Sequence, residues 1–157
     1  MKSVAAIMTE RDFVPSDLPA YLHGAWRIDR LVEDRLAGAT HRMHGNGAFQ
    51  PDGAELAYSE AVSWTLDGQM LTGERAYRYA FPAPQAAPRH AEVRFADGRL
   101  FHTLDVEDGH CEVAHDCPPD RYDGLYVLLD DDRFRVRWTV VGPRKDLVLS
   151  TLYSRVG

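Results

Sequence analysis

Cysteine is nearly absent: the chain has two in 157 residues. Cys111 and Cys117 lie six apart on one expected strand, roughly 20 Å at ~3.3 Å per residue, too far for a disulfide. Two free thiols suit a reducing compartment. No apolar run approaches the ~20 residues that a membrane-spanning helix needs. The apolar stretch from Val4 to Met8 is short and is followed at once by Glu10, Arg11 and Asp12, so no signal peptide is expected and the location expected is cytoplasmic. Positive charge is in deficit: the net charge of −6 argues against nucleic acid or an anionic membrane as the main partner. There is no Gly-x-Ser-x-Gly, no phosphate loop, no dinucleotide fingerprint, no Cys-x-x-Cys and no His-Glu-x-x-His, which sets aside nucleotide-dependent and serine-hydrolase chemistry. Long helical periodicity, internal repeats and linkers are also missing.

What is present is strand and turn. At 45% hydrophobic and 27% charged residues the composition is that of a soluble globular protein, and the length predicts one domain able to bury about 70% of its unfolded surface. Residues 1–15 read as an N-terminal arm and 16–157 as the domain. Ser16 and Asp17, followed by Leu18 and Pro19, read as a cap opening a short helix to about Leu22. Ten strands are predicted: 24–33, 38–48, 55–66, 69–81, 90–96, 99–107, 110–117, 122–129, 133–141 and 146–155. Between them stand Pro51-Asp52-Gly53, three Asp-Gly pairs, Asp130-Asp131-Asp132 and Gly142-Pro143-Arg144-Lys145. Pro82 to Pro88 forms the longest gap. Short hairpins imply an antiparallel meander, and the even spread of inward apolar positions favours an all-β closed barrel over a sandwich.

The Asp-Gly pairs predict register, because a two-residue type I′ turn needs φ > 0 at both positions. The Asp67-Gly68 turn sets Leu56, Tyr58, Glu60, Val62 and Trp64 opposite Tyr79, Tyr77, Arg75, Gly73 and Leu71. The Asp97-Gly98 turn sets Val93 beside His102 and Phe95 beside Leu100. The Asp108-Gly109 turn sets Val106 opposite Cys111, Leu104 opposite Val113, and His102 opposite His115. Phe134, Val136, Trp138 and Val140 form an inward face that Leu147, Leu149, Thr151, Tyr153 and Arg155 continue.

Gly24-Ala25-Trp26 on the first strand, together with Arg155 on the last, resembles the lipocalin and calycin pattern, in which the arginine packs over the indole and closes one barrel end. Cation–π contact supplies about 0.5–2 kcal/mol for it. From Leu22 to Arg155 the chain also resembles a family of small bacterial and fungal proteins of unknown function. That likeness rests on Gly24-Ala25-Trp26 with Arg30, Tyr58-Ser59-Glu60, Asp97-Gly98-Arg99 with Phe101-His102, and His115-Asp116-Cys117 with Pro119-Asp120 and Tyr122. Gly142-Pro143-Arg144-Lys145-Asp146 and Tyr153-Ser154-Arg155 complete it. The resemblance implies a lipocalin-like antiparallel barrel and no particular activity. Secreted lipocalins have a signal peptide and disulfides that this chain lacks. Haem-binding nitrobindin-like barrels have a Gly-x-Trp-x-Gly-x-Gly run that it also lacks, so no cofactor is expected.

Four constellations could carry chemistry. His102 and His115 could move protons, bind a transition metal, or hydrogen-bond and fill space. A metal would need a third and fourth ligand; Cys117 stands about 7 Å along the strand from His115, and His110, His41 and His44 add nothing, so no metal site is expected. Glu60 and Arg75 form either a buried ion pair or an acid and an anion hook among tyrosines. Pro118-Pro119 ends a strand near a barrel mouth, where Cys117 could serve as a nucleophile beside His115. Arg144 and Lys145 form either an anion-recruiting rim or a solvated hairpin tip. The leading expectation is a small-molecule-binding barrel with a polar, aromatic cavity contacted by Tyr58, Trp64, Arg75, Tyr77, Tyr79 and Tyr153. The alternative is a cofactor-independent acid–base enzyme (an isomerase, cyclase or dehydratase) with His102, His115 and Glu60 as catalytic candidates and Tyr58 or Arg75 holding an oxyanion. A third reading is a structural or partner-binding module that uses an exposed sheet edge or the N-terminal arm, and a homodimer with an occluded barrel mouth would favour it.

Overall fold

The first Asp-Gly turn forms as its chemistry dictates. Asp67 and Gly68 both take positive φ, 51° and 79°, Leu66 pairs with Gln69, and all five facing pairs read from the sequence occur, including Tyr58 with Tyr77 and Glu60 with Arg75. The computed structural model describes residues 13–82 and 88–157. Most of the expected N-terminal arm and the middle of the Pro82–Pro88 loop therefore lie outside the described residues.

A short helix, α1 (Leu18–Leu22), precedes ten strands: β1 (Gly24–Asp34), β2 (Ala39–Asp52), β3 (Glu55–Leu66), β4 (Gln69–Ala80), β5 (His90–Phe95), β6 (Leu100–Asp105), β7 (His110–Cys117), β8 (Asp120–Asp130), β9 (Arg133–Gly142) and β10 (Lys145–Arg155). Every ladder is antiparallel, and the sheet runs β6-β5-β4-β3-β2-β1-β10-β9-β8-β7. The first and last strands pair, Trp26 opposite Arg155, so the meander rolls into a barrel. No helix among the described residues is long and apolar enough to cross a membrane.

The β6–β7 hairpin departs from the expectation. Only its glycine takes positive φ, 79° at Gly109, and the Gly109 amide donates to the Val106 carbonyl at 2.9 Å, so the turn begins one residue early. β6 and β7 are the two edges of the sheet rather than a pair. They approach at the turn, where the Asp105 amide donates to the Cys111 thiol at 3.3 Å, and share no ladder beyond it. His102 and His115 are therefore not cross-strand partners. The Asp97-Gly98 turn is also one residue longer than expected: Phe95 and Arg99 close a three-residue loop, with Gly98 at φ 92°. The Asp97 carboxylate accepts from the Arg99 amide at 3.0 Å, the Asx bond that holds such a loop. A bulge between Val93 and Arg94 then restores the register, so Val93 pairs with His102 as read, while Leu100 faces Arg94 instead of Phe95.

One end of the barrel is plugged. Asp17 caps α1 by accepting from the Ala20 amide at 3.2 Å, and Leu18, Tyr21 and Leu22 are buried against Trp26 and Phe134. The Arg155 guanidinium lies 4.3 Å from the Trp26 ring centroid and donates to the Tyr21 and Asp131 carbonyls, each at 2.8 Å. The indole nitrogen donates to the Leu22 carbonyl at 2.8 Å. One guanidinium thus ties helix, first strand and last strand together. Arg155→Ala is expected to cost about 2–3 kcal/mol in urea unfolding, from the lost cation–π contact and two carbonyl hydrogen bonds, and Arg155→Lys less. An unchanged midpoint for the alanine variant would refute this role.

Candidate functional site

At the opposite end the hairpin β6–β7 splays, and the space it leaves is a cavity of about 510 Å³. That volume suits a small organic ligand. Five aromatic rings line it: Tyr77, Phe95, Phe101, Tyr122 and Trp138. Phe101 of β6 and Trp138 of β9 stack across the interior, centroids 5.1 Å apart and 14° from parallel. Trp138 lies flat because Gly124 on β8 has no side chain: a Cβ there would stand 2.7 Å from the indole. The His115 ring meets Phe95 and Phe101 edge-on, at 5.6 and 5.2 Å. Rings from β5, β6 and β7 therefore close side by side what the backbone leaves unpaired. The remaining lining includes Arg75, Arg99 and Lys145 and no carboxylate.

Beneath this cavity lies a void of about 30 Å³ lined by tyrosines. Arg75, Tyr77, Phe101, Trp138 and Leu149 border both spaces and so form the partition between them. The void is built around an ion pair. Arg30 donates to both Glu60 oxygens, at 2.7 and 3.0 Å, and to the Thr151 hydroxyl at 2.8 Å. The Tyr58 hydroxyl donates to Glu60 at 2.6 Å, and Tyr153 stands 3.4 Å from Arg30. Arg30 and Glu60 are each 5% exposed. Burial alone would push the Glu60 carboxyl up, but the Arg30 fork, the Tyr58 hydroxyl and the Arg75 charge together outweigh it and hold the carboxyl below its ordinary range. Desolvation by burial pushes Tyr58 far up, so this hydroxyl remains a donor.

His102 sits beside the void, 3% exposed. Its Nδ1 lies 3.1 Å from the Thr103 carbonyl, which can only accept, so Nδ1 carries the proton and Nε2 accepts from the Tyr126 hydroxyl at 3.3 Å. Burial pushes its pKa down to about 4, with the nearby His115 adding to the shift and the Thr103 carbonyl opposing it. His102 is therefore a neutral imidazole at pH 7. Among the described residues every buried side-chain nitrogen and oxygen has a partner, and no cluster of His, Cys, Asp and Glu could hold a metal ion.

The structure divides the residues singled out in the sequence. Arg75, Tyr77 and His115 line the outer cavity. Tyr58, Glu60, Tyr79 and Tyr153 line the inner void, and His102 packs beside Trp138 and Tyr126 behind it. Trp64 lies over Gly73 and lines neither space. Glu60 stands opposite Arg75 in register, as expected, yet its ion pair is with Arg30 two strands away. Arg30, Phe101 and Trp138 were not singled out as site residues. The alternation Trp26, Ile28, Arg30, Val32 placed Arg30 inward by the same period-two rule that placed Glu60 there.

The chain belongs to a family of unknown function, DUF6314, which matches residues 22–155. No curated protein matches it. Among solved structures it is similar to the S-type phycobiliprotein lyase of Guillardia theta, with a TM-score of 0.62 at 9% identity over 89% of this chain and 91% of that one. It is also similar to a protein of unknown function from the DUF3598 family of Nostoc punctiforme, with a TM-score of 0.61 at 12% identity. That match covers 90% of this chain and half (50%) of the other. These likenesses are of fold.

The two buried titratable groups set the response to acid. His102 takes up its proton near 6.5 when unfolded and near 4 when folded, so stability is complete above the upper value, falls through that interval and levels off below it. The folded Glu60 carboxyl is depressed, so its contribution is present above the unfolded carboxylate value and is lost as pH falls below it. Between pH 7 and pH 4.5 the unfolding free energy is expected to fall by on the order of 2 kcal/mol through His102. Urea titrations of His102→Gln should lose that slope; an unchanged slope would assign it to another group.

Proposed function

We propose that this member of the family is a small-molecule-binding barrel whose ligand occupies the outer cavity. The observation that carries this reading is the cavity itself: about 510 Å³, plugged at the α1 end of the barrel and walled by five aromatic rings. A barrel built only for stability fills its interior with aliphatic side chains, and here the aliphatic lining is confined to Val140, Leu147 and Leu149. Arg75 and Tyr77 serve as direct ligand contacts. Tyr58, Tyr79 and Tyr153 support them from behind the partition. The likeness to the phycobiliprotein lyase extends to fold, so the reading stands on the cavity.

A second reading, a cofactor-independent acid–base enzyme, is favoured by one observation. His115 lines the cavity, and its ring nitrogens have no hydrogen-bond partner among the described residues. In that reading His115 moves the proton and Arg75 holds the oxyanion. His102, neutral and engaged at both nitrogens, and Glu60, engaged at both oxygens, tune the interior instead of touching substrate.

Phenylnaphthylamine, a neutral aromatic dye that fluoresces when it leaves water, tests the cavity. Saturable one-to-one binding is expected, with quenching of tryptophan emission by contact with Trp138. Leu147→Trp, which fills the mouth, should abolish binding while leaving the far-UV circular dichroism unchanged. Undiminished binding by that variant, or none by the wild type, would contradict the reading.

A further inference from the structure

The interior of the barrel holds one guanidinium and one carboxylate, Arg30 and Glu60, and a second guanidinium, Arg75, stands exposed at the outer cavity. Arg30 and Glu60 answer each other at 2.7 and 3.0 Å under the partition, and the Tyr58 hydroxyl takes a further lone pair of the carboxylate. Arg75 stands directly opposite Glu60 on β4; its charge helps lower the Glu60 carboxyl and it hydrogen-bonds Tyr77, but it forms no contact ion pair with a carboxylate among the described residues, and it borders the outer cavity. The other long cations at the mouth are engaged. Lys145 pairs with Asp120 at 3.1 Å. Arg99 pairs with Asp97 at 2.7 Å and lies 5.3 Å over the Phe95 ring. In a chain of net charge −6, the lining of this cavity carries one guanidinium outside any contact ion pair and no acid.

We propose that the ligand of the outer cavity is an aromatic molecule bearing a single negative charge, a carboxylate or an equivalent monoanion, with its acid group on Arg75 and its ring against the Phe101–Trp138 floor. The proposal rests on the binding reading of the cavity and names the chemistry it selects. A planar guanidinium presents paired N–H donors that match the two oxygens of a carboxylate. One unpaired cation matches one charge; a dianionic phosphate would need a second, and Lys145 and Arg99 already have carboxylate partners. Beside Arg75, the rings of Tyr77, Phe101 and Trp138 supply an apolar face for a flat molecule.

Two dyes with the same rings separate this proposal from the reading beneath it: phenylnaphthylamine, which is neutral, and anilinonaphthalene sulfonate, which adds one negative charge. At low salt the wild type is expected to bind the sulfonate at least about tenfold more tightly, a difference of about 1.4 kcal/mol, and sodium chloride should shrink that advantage. Arg75→Gln should abolish it, lowering the affinity for the sulfonate at least about tenfold more than that for the neutral dye, while an unchanged far-UV circular dichroism shows that the variant folds. Equal affinity of the wild type for both dyes, or an anionic preference that survives in Arg75→Gln, would overturn the proposal and leave the cavity reading in place. Failure of both dyes to bind would overturn the cavity reading and this proposal with it.

Discussion

The ion pair between Arg30 and Glu60 sets the terms for the rest of the interior. Two charges buried this deeply are tolerated only when each satisfies the other and their remaining hydrogen-bonding capacity is met. Here both Glu60 oxygens are engaged by Arg30, while Thr151 and Tyr58 complete the set. Two consequences follow from that satisfaction. The inner void becomes a closed, polar but quiet layer of the core, and Arg75, the nearest other cation, is left to the cavity above it.

The cavity is a consequence of how the sheet closes. A meander that pairs its first and last strands could seal completely, but β6 and β7 remain the two edges. Near Asp105 and Cys111 they touch through a thiol. Farther along, the rings of Phe95, Phe101 and His115 stand between them. Side-chain closure leaves volume that backbone hydrogen bonding would have removed. The two barrel ends are correspondingly unlike. One carries α1 with Arg155 over Trp26; the other carries a mouth with aromatic walls and basic groups.

Much of this was legible in the sequence, for reasons that also mark its limits. Ten strands and their inward faces follow from period-two alternation and turn residues. The β3–β4 register follows from Asp67 and Gly68, because a two-residue loop with two positive φ values admits one pairing. The closure by Arg155 over Trp26 is what the resemblance to the lipocalin pattern implies. The other two Asp-Gly pairs misled because Asp-Gly also suits a three-residue loop with only the glycine at positive φ, and Asp97 and Asp108 lie in turns where the glycine alone takes positive φ. The β6–β7 pairing failed for a second reason: turn chemistry says where a chain reverses, not how far the strands beyond stay together. The partner of Glu60 was missed because register names neighbours within a ladder, while curvature brings together inward side chains from strands that are not neighbours. Gly47 on β2 lies opposite both Trp26 and Glu60, and a Cβ there would meet Tyr58 at 3.0 Å and Ile28 at 3.2 Å. Its missing side chain is the gap across which β1 and β3 reach each other.

Which arginine neutralises Glu60 decides whether Arg75 is left for a ligand, and a pair of double-mutant cycles on unfolding free energy measures it directly. Coupling between Arg30 and Glu60 should be about 3 kcal/mol, as for a buried pair whose single removal strands a charge. Coupling between Arg75 and Glu60 should stay below about 0.5 kcal/mol, as for a solvent-facing cation. The reverse order, with Glu60 coupled strongly to Arg75 and weakly to Arg30, would contradict the division of the barrel into a satisfied interior and a cationic cavity.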